Sequence, residues 1–294
     1  MTIDNKVADA FIESLPYLKK FKDEVVIIKL GGSALSDSEI KRSMSLDISF
    51  LRAVGISVVI VHGGGKDVSK MLSKLGKETR FVGGYRYTSP EDADIVEMVL
   101  SGSVNKSIVS ILTLSGCPAV GLSGKDSGLL SVEDLKGQDG EDLGNVGRIV
   151  ETRPAILKLL LENAIVPVVS SIASSYDGRT MNINADELAC AIAVSLDAKK
   201  LIYLSDVDGL ILDGELVDEL DLREAEVLIG DSRVTGGMIP KLEFSANALR
   251  KGVADVHLIN GKTPHSVLLE LFTERGIGTK LTYSRRKSAP PSIR

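Results

Sequence analysis

Two lysines beside glycine pairs are the first residues in the chain whose types suggest chemistry. Lys29 precedes Gly31 and Gly32 at the end of an apolar run, and Lys241 follows Thr235-Gly236-Gly237 at the start of an amphipathic stretch. Glycines at a strand end let main-chain N–H groups come close to a ligand. A helix that follows offers its positive end to an anion. Either lysine alone reads equally well as a surface residue with a snorkelling stem. Together, beside glycine loops, they match phosphoryl transfer, in which charge and positioning stabilise the moving group.

Three further segments belong with them. His62-Gly63-Gly64-Gly65 again follows an apolar run. It is not a Walker A loop, because Lys66 is followed by Asp67, and it lacks the spacing of the dinucleotide fingerprint. A third glycine cluster, GLSGKDSG, spans 121–128. Three clusters at the carboxyl edge of one sheet point to a ligand there, since open α/β sheets bind at that edge. In Asn182-Ile183-Asn184-Ala185-Asp186 an extended backbone sets Asn182 and Asn184 on one side and Ile183 on the other. Asp186 stands where a helix begins. It either caps that helix or forms part of a polar wall that orients a substrate and holds cationic groups. No acid pair has metal-ligand spacing, so no protein metal site is expected. Mg²⁺ would be carried on nucleotide phosphates and water.

The elements that must position these residues alternate along the chain. Apolar runs at 25–30, 57–61, 119–122, 166–169, 201–204 and 256–259 read as strands buried on both faces, as in parallel sheets. Helical patterns lie between them at 39–54, 67–75, 90–114, 154–163, 187–196, 222–229, 239–250 and 264–272. The alternation predicts an open αβα sandwich with a mostly parallel central sheet. Asp213-Gly214 supplies turn chemistry for a hairpin over 210–216. In residues 1–22, Val7, Phe11, Leu15 and Leu18 recur at helical spacing, and Pro16 predicts a kink or restart near Ser14. That helix packs on its own domain or on another subunit. The basic, proline-containing tail 284–294 reads as disordered.

Composition narrows the class. Lys and Arg number 35 against 40 Asp and Glu, and only 4% of residues are aromatic, so no nucleic-acid footprint appears. Cys117 and Cys190 sit in apolar surroundings, which suits buried thiols in a reducing compartment. The N-terminal residues lack a signal-peptide pattern, and no apolar run approaches the ~20 residues of a membrane span. A cytoplasmic protein without membrane contact is the expectation.

The ordered series IIKLGG, VIVHGGG, GGYRYT, VNKSIV, GLSGKD, MNINADE, LSDVDGLILD, GGMIPKLE and LLELFTERGIGTK resembles the amino-acid kinase family over residues 10–281. Within it, the chain is similar to the branch that phosphorylates N-acetyl-L-glutamate from ATP, an arginine-biosynthesis step. The resemblance implies that Lys29 and Lys241 stabilise the transition state and that Asp186 holds them. It implies that Gly64, Gly65, Arg86 and Asn182 bind the acceptor, with Arg86 on its α-carboxylate. Gly32 would lie against the phosphates. Asp206, Val207, Gly209, Leu210, Ile211, Val234 and Thr235 would line the nucleotide site. Residues 23–196 would form the acceptor lobe and 197–283 the nucleotide lobe. The N-terminal helix resembles that of arginine-inhibited members, in which such helices interlace dimers into a hexamer; Tyr17, His257, Glu270 and Gly276 would then contact L-arginine. Alternatives are a kinase of a related acceptor, such as carrier-linked aminoadipate, or a non-catalytic arginine-binding regulator.

Overall fold

The computed structural model describes residues 5–35, 37–137, 140–274 and 276–284; residues 285–294 of the expected disordered tail lie outside them. Eight strands form the central sheet: β1 (Val25–Leu30), β2 (Ser57–His62), β3 (Ala119–Ser123), β4 (Val166–Ser170), β5 (Lys200–Ser205), β6 (Glu219–Asp221), β7 (Asp255–Asn260) and β8 (Thr279–Thr282). Their order is β6-β8-β7-β5-β1-β2-β4-β3. The run from β7 to β3 is parallel throughout, while β8 pairs antiparallel with β7.

Nine helices accompany the sheet among the described residues: α1 (Asn5–Phe21), α2 (Ser38–Ala53), α3 (Gly65–Lys74), α4 (Pro90–Leu114), α5 (Ala155–Glu162), α6 (Ala185–Ser195), α7 (Leu222–Ile229), α8 (Met238–Arg250) and α9 (Ser266–Phe272). The strands are buried on both faces because each face has its own core. In β1, Val26, Ile28 and Leu30 join residues of α2, α3, α4 and α9, whereas Ile27 joins residues of α5, α6, α7 and α8. This is the expected αβα sandwich, and it explains why the strands read as continuous apolar runs. The hairpin forms with Asp213 and Gly214 both at positive φ, as a tight two-residue turn requires.

Three expectations need correction. Helix α1 runs through Pro16 without restarting. Phe11 and Leu15, on its expected apolar face, are 61% and 43% exposed, while Phe21 is buried edge-on against Phe272; the Val7 side chain lies outside the described part. Helix α4 is long and apolar enough to cross a membrane by length and composition, although no such run was expected. Its buried residues, Val96, Leu100, Val104, Ile108 and Leu112, belong to the core. Finally, a second sheet of four strands, Leu130–Lys136, Asp142–Thr152, Thr180–Ile183 and Ile172–Ser174, escaped the sequence reading. It carries Asn182 toward the site.

Candidate active site

Strand alternation places Lys29 on the same face of β1 as Ile27, the face covered by α6 and α8. Asn184 caps α6, accepting from the N–H groups of Asp186 (2.8 Å) and Glu187 (3.3 Å). The cap is therefore Asn184 and not Asp186, whose carboxylate is left for another task. Its Oδ1 lies 2.8 Å from Lys29 Nζ, and its Oδ2 lies 2.8 Å from Lys241 Nζ. Three residues far apart in sequence thus form one ion triad. Burial alone would push the Asp186 carboxyl up, but the two ammonium groups outweigh it and hold it below the usual carboxylate range. The Tyr203 hydroxyl, on β5 beside Lys29, donates to the Asp186 carbonyl at 3.2 Å and fixes the first turn of α6.

Lys29 and Asp186 of the triad line a cleft of about 670 Å³ together with Gly31, Gly32, Gly63 to Lys66, Arg86 and Asn182, among others. Arg86 is presented by a hairpin whose turn, Gly83–Gly84, has both residues at positive φ. Its guanidinium donates to Gly65 O at 2.8 Å, Ser69 Oγ at 2.9 Å and Thr79 Oγ1 at 3.1 Å, and stacks on Phe81. Burial lowers its pKa, yet a guanidinium stays charged. Asn182 donates to Thr88 Oγ1 at 3.2 Å. The geometry can hold an anionic molecule between Arg86 and the paired lysines.

The nucleotide-site residues expected from sequence follow the end of β5 and precede α8. Gly32 adopts positive φ, and a Cβ there would strike the Asp206 carboxylate, so glycine is required. Asp206 also pairs with Lys66 at 3.3 Å across the mouth of the cleft. Val207, Ile211 and Thr235 are exposed. The side chains of Leu210 and Val234 are buried in the core, so these two could meet a ligand only through main-chain groups. Gly209 packs against Thr279, whose Oγ1 accepts from Leu210 N–H at 2.7 Å.

The third glycine cluster does not line the cleft. A Cβ on Gly121 would collide with Asn105 Oδ1, and Lys125 is spent on Glu97 (2.6 Å) and Thr180 (2.8 Å). Gly121 and Gly124 make room for packing, and Gly128 takes a positive φ.

Three of the expected effector residues, His257, Glu270 and Gly276, come together at the other end of the sheet. His257 Nδ1 lies 2.5 Å from Glu270 Oε1, and Lys200 Nζ lies 2.6 Å from His257 Nε2. Ile277 N–H donates to Glu270 Oε2 at 2.7 Å, and a Cβ on Gly276 would lie 2.6 Å from that oxygen. Burial and the adjacent Lys200 hold the His257 imidazole down. Tyr17 is partly buried against the apolar core that includes Phe21, Val267 and Leu271. Sequence reasoning missed Lys200, Tyr203 and Asn105, and met Lys66 and His62 only as neighbours of the glycines, with no role of their own. Among the described residues, no group of three or more His, Cys, Asp or Glu could hold a metal ion.

Comparison with known proteins identifies relatives of the whole chain. The chain is 45% identical over 278 residues to an acetylglutamate kinase of Caldanaerobacter subterraneus, covering 93% of this chain and 92% of the relative. It is 45% identical over 288 residues to an acetylglutamate kinase of Methanoculleus marisnigri, covering 94% and 99%. A structure of N-acetylglutamate synthase from Neisseria gonorrhoeae, complexed with coenzyme A and N-acetyl-glutamate, superposes with a TM-score of 0.85 at 26% identity, covering 97% of this chain. This chain spans 66% of that structure. The same synthase complexed with coenzyme A and L-arginine gives a TM-score of 0.82 at 25% identity, covering 94% of this chain and 65% of that one. The family model for the amino acid kinase family matches residues 24–260. The chain belongs to the amino acid kinase family.

Proposed function

We propose that this protein phosphorylates the side-chain carboxylate of N-acetyl-L-glutamate with ATP, giving an acyl phosphate. The observation that carries the reading is the Lys29–Asp186–Lys241 triad beside a cleft that also holds Arg86 and Asn182. Arg86 pairs with the α-carboxylate of the acceptor, Asn182 orients it, and the main-chain groups of Gly64 and Gly65 face it. ATP supplies the phosphoryl group, with Mg²⁺ on its phosphates. Gly32, Asp206, Val207, Gly209, Ile211 and Thr235, with main-chain groups of Leu210 and Val234, would hold the nucleotide. Gly32, at positive φ beside the Asp206 carboxylate, would lie against the phosphates through its main chain.

An acceptor carboxylate oxygen attacks the terminal phosphorus while the bond to the ADP oxygen breaks. The ionised carboxylate is the nucleophile itself, so no residue need take a proton. Lys29 and Lys241, aligned by Asp186, neutralise charge on the transferring group from both sides. In this reading residues 23–196 carry the acceptor and 197–283 the nucleotide.

L-Arginine would act at Glu270, His257, Gly276 and Tyr17, and the exposed face of Phe11 and Leu15 would join subunits into a hexamer. The arginine-bound synthase supports the first point. For arginine to reach Glu270, it must displace the bond from His257 or the N–H of Ile277. Inhibition curves with L-arginine test it.

A panel of acetylglutamate, glutamate, aspartate, carbamate and UMP with ATP–Mg²⁺, with acyl phosphates trapped by hydroxylamine, tests the activity. Acetylglutamate should give the highest kcat/KM. A higher value for any other acceptor overturns the assignment.

A further inference from the structure

A buried polar chain lies beneath the glycine loop, outside the cleft. His62, the last residue of β2, is fully buried. Its Nδ1 is 2.9 Å from Gly63 O, and its Nε2 is 3.0 Å from Asn105 Nδ2. The same amide nitrogen donates to Val168 O at 2.8 Å, and Asn105 Oδ1 accepts from Lys106 Nζ at 3.1 Å. A carbonyl can only accept and an ammonium can only donate, so the Asn105 amide is fixed in orientation. Nε2 of His62 is then an acceptor, and Nδ1 carries the proton donated to Gly63 O. Burial, reinforced by the nearby Lys106 and Lys29 ammonium groups, takes the imidazole down to about 4, which agrees with a neutral ring.

The peptide between Gly63 and Gly64 is trans and planar, so its N–H points opposite to its C=O. Holding the Gly63 carbonyl against the buried ring therefore turns the Gly64 N–H away from it, and Gly64 lines the cleft. The loop is held from a second point by the same helix. A Cβ on Gly64 would lie 2.7 Å from Leu100 Cδ2, and Leu100 sits in a π-helical segment, Met98–Val104, directly before Asn105. Such wide turns recur at functional sites, because the inserted residue re-aims the side chains of the next turn. Gly121, where a Cβ would strike Asn105, leaves room for the amide.

We infer that His62 is a positioning residue, which with Asn105 holds the Gly63 carbonyl so that the Gly64 N–H faces the acceptor. This rests on the reading of the cleft as the acceptor site. His62 itself does not touch substrate, since both ring nitrogens are occupied inside the protein.

The full-length protein with His62→Leu, His62→Asn or Asn105→Ala tests it. An asparagine amide can reproduce the Nδ1 donor. His62→Leu should raise the acceptor KM about tenfold, the worth of one oriented hydrogen bond, and leave the ATP KM unchanged. Asn105→Ala should shift the acceptor KM in the same direction. His62→Asn should recover most of the loss. A wild-type acceptor KM in His62→Leu, or equal changes for both substrates without rescue by Asn, overturns the inference. Should His62→Leu fail to fold, ¹⁵N NMR of histidine-labelled wild type decides, with only 3 histidines to resolve. A neutral Nδ1–H tautomer for His62 at neutral pH is expected; an imidazolium or an Nε2–H tautomer overturns it. The tautomer is read without turnover. A wild type that prefers another acceptor would therefore sink the substrate assignment while leaving this inference to be measured with that acceptor.

Discussion

Two buried charge clusters sit at opposite ends of neighbouring strands, and they are built on different plans. At the carboxyl end of β1, two lysines share one carboxylate, and the group borders an open cleft. At the amino end of β5, Lys200 is held by Asp255 and His257, while Glu270 is held by His257 and the Ile277 N–H. The second cluster satisfies itself. Each Glu270 oxygen and each His257 nitrogen already has a protein partner. The first keeps cations in excess of anions and sets one of them, Lys29, in the wall of the cleft. Burial of charge is common to both; what separates them is unspent donor capacity facing a cleft. That excess suits a site for transferring phosphoryl groups, whereas a saturated buried network chiefly fixes local structure.

Substitutions can break or sharpen the contrast. The largest effect should come from Lys29→Ala or Lys241→Ala, each lowering kcat on the order of 10²–10³ while the substrate KM values move much less. Steady-state kinetics check this, and near-normal kcat in either variant would erase the distinction. Glu270→Leu should act on the other side of the comparison. It strands the His257 donor and the Ile277 N–H, so thermal stability should fall by about 3 kcal/mol, as for one partner removed from a buried pair. Its kcat should stay near wild type in the absence of arginine. Calorimetry with an activity assay reads both, and lost activity in a fully folded variant would give this cluster a part in turnover. Arg86→Ala should cost roughly 1.5–3 kcal/mol in acceptor binding, seen as a raised acceptor KM with ATP KM unchanged. A raised ATP KM instead would move Arg86 to the nucleotide side.

The fold was legible where burial is symmetric. Strands such as 25–30 and 201–204 are covered on both faces, so hydrophobicity alone marks them. The second sheet was not legible. Its strands Leu130–Lys136 and Asp142–Thr152 carry exposed charged residues, and register shifts at Ser131/Val132 and Asp134/Lys136 interrupt the alternation. Within the site, the glycine-flanked lysines could be found from residue type, but their junction at Asp186 came only through resemblance, because a contact between distant positions leaves no local period. Gly121 shows the opposite error. Its glycine is required by the fit of Asn105, a reason invisible in the cluster GLSGKDSG. Asn105 and Tyr203 were missed because a buried polar side chain reads as any other until its partner is known.

The bridge itself is the central claim, and Asp186→Asn tests it most directly. The amide keeps the shape but removes the charge that draws both ammonium groups to one point. The protein should remain folded and bind ATP and acceptor with nearly unchanged KM. Its kcat should fall on the order of 10²-fold, as expected for an interaction that matters chiefly in the transition state. A folded Asp186→Asn protein with wild-type kcat would show that the lysines act without the bridge, and the account would be wrong.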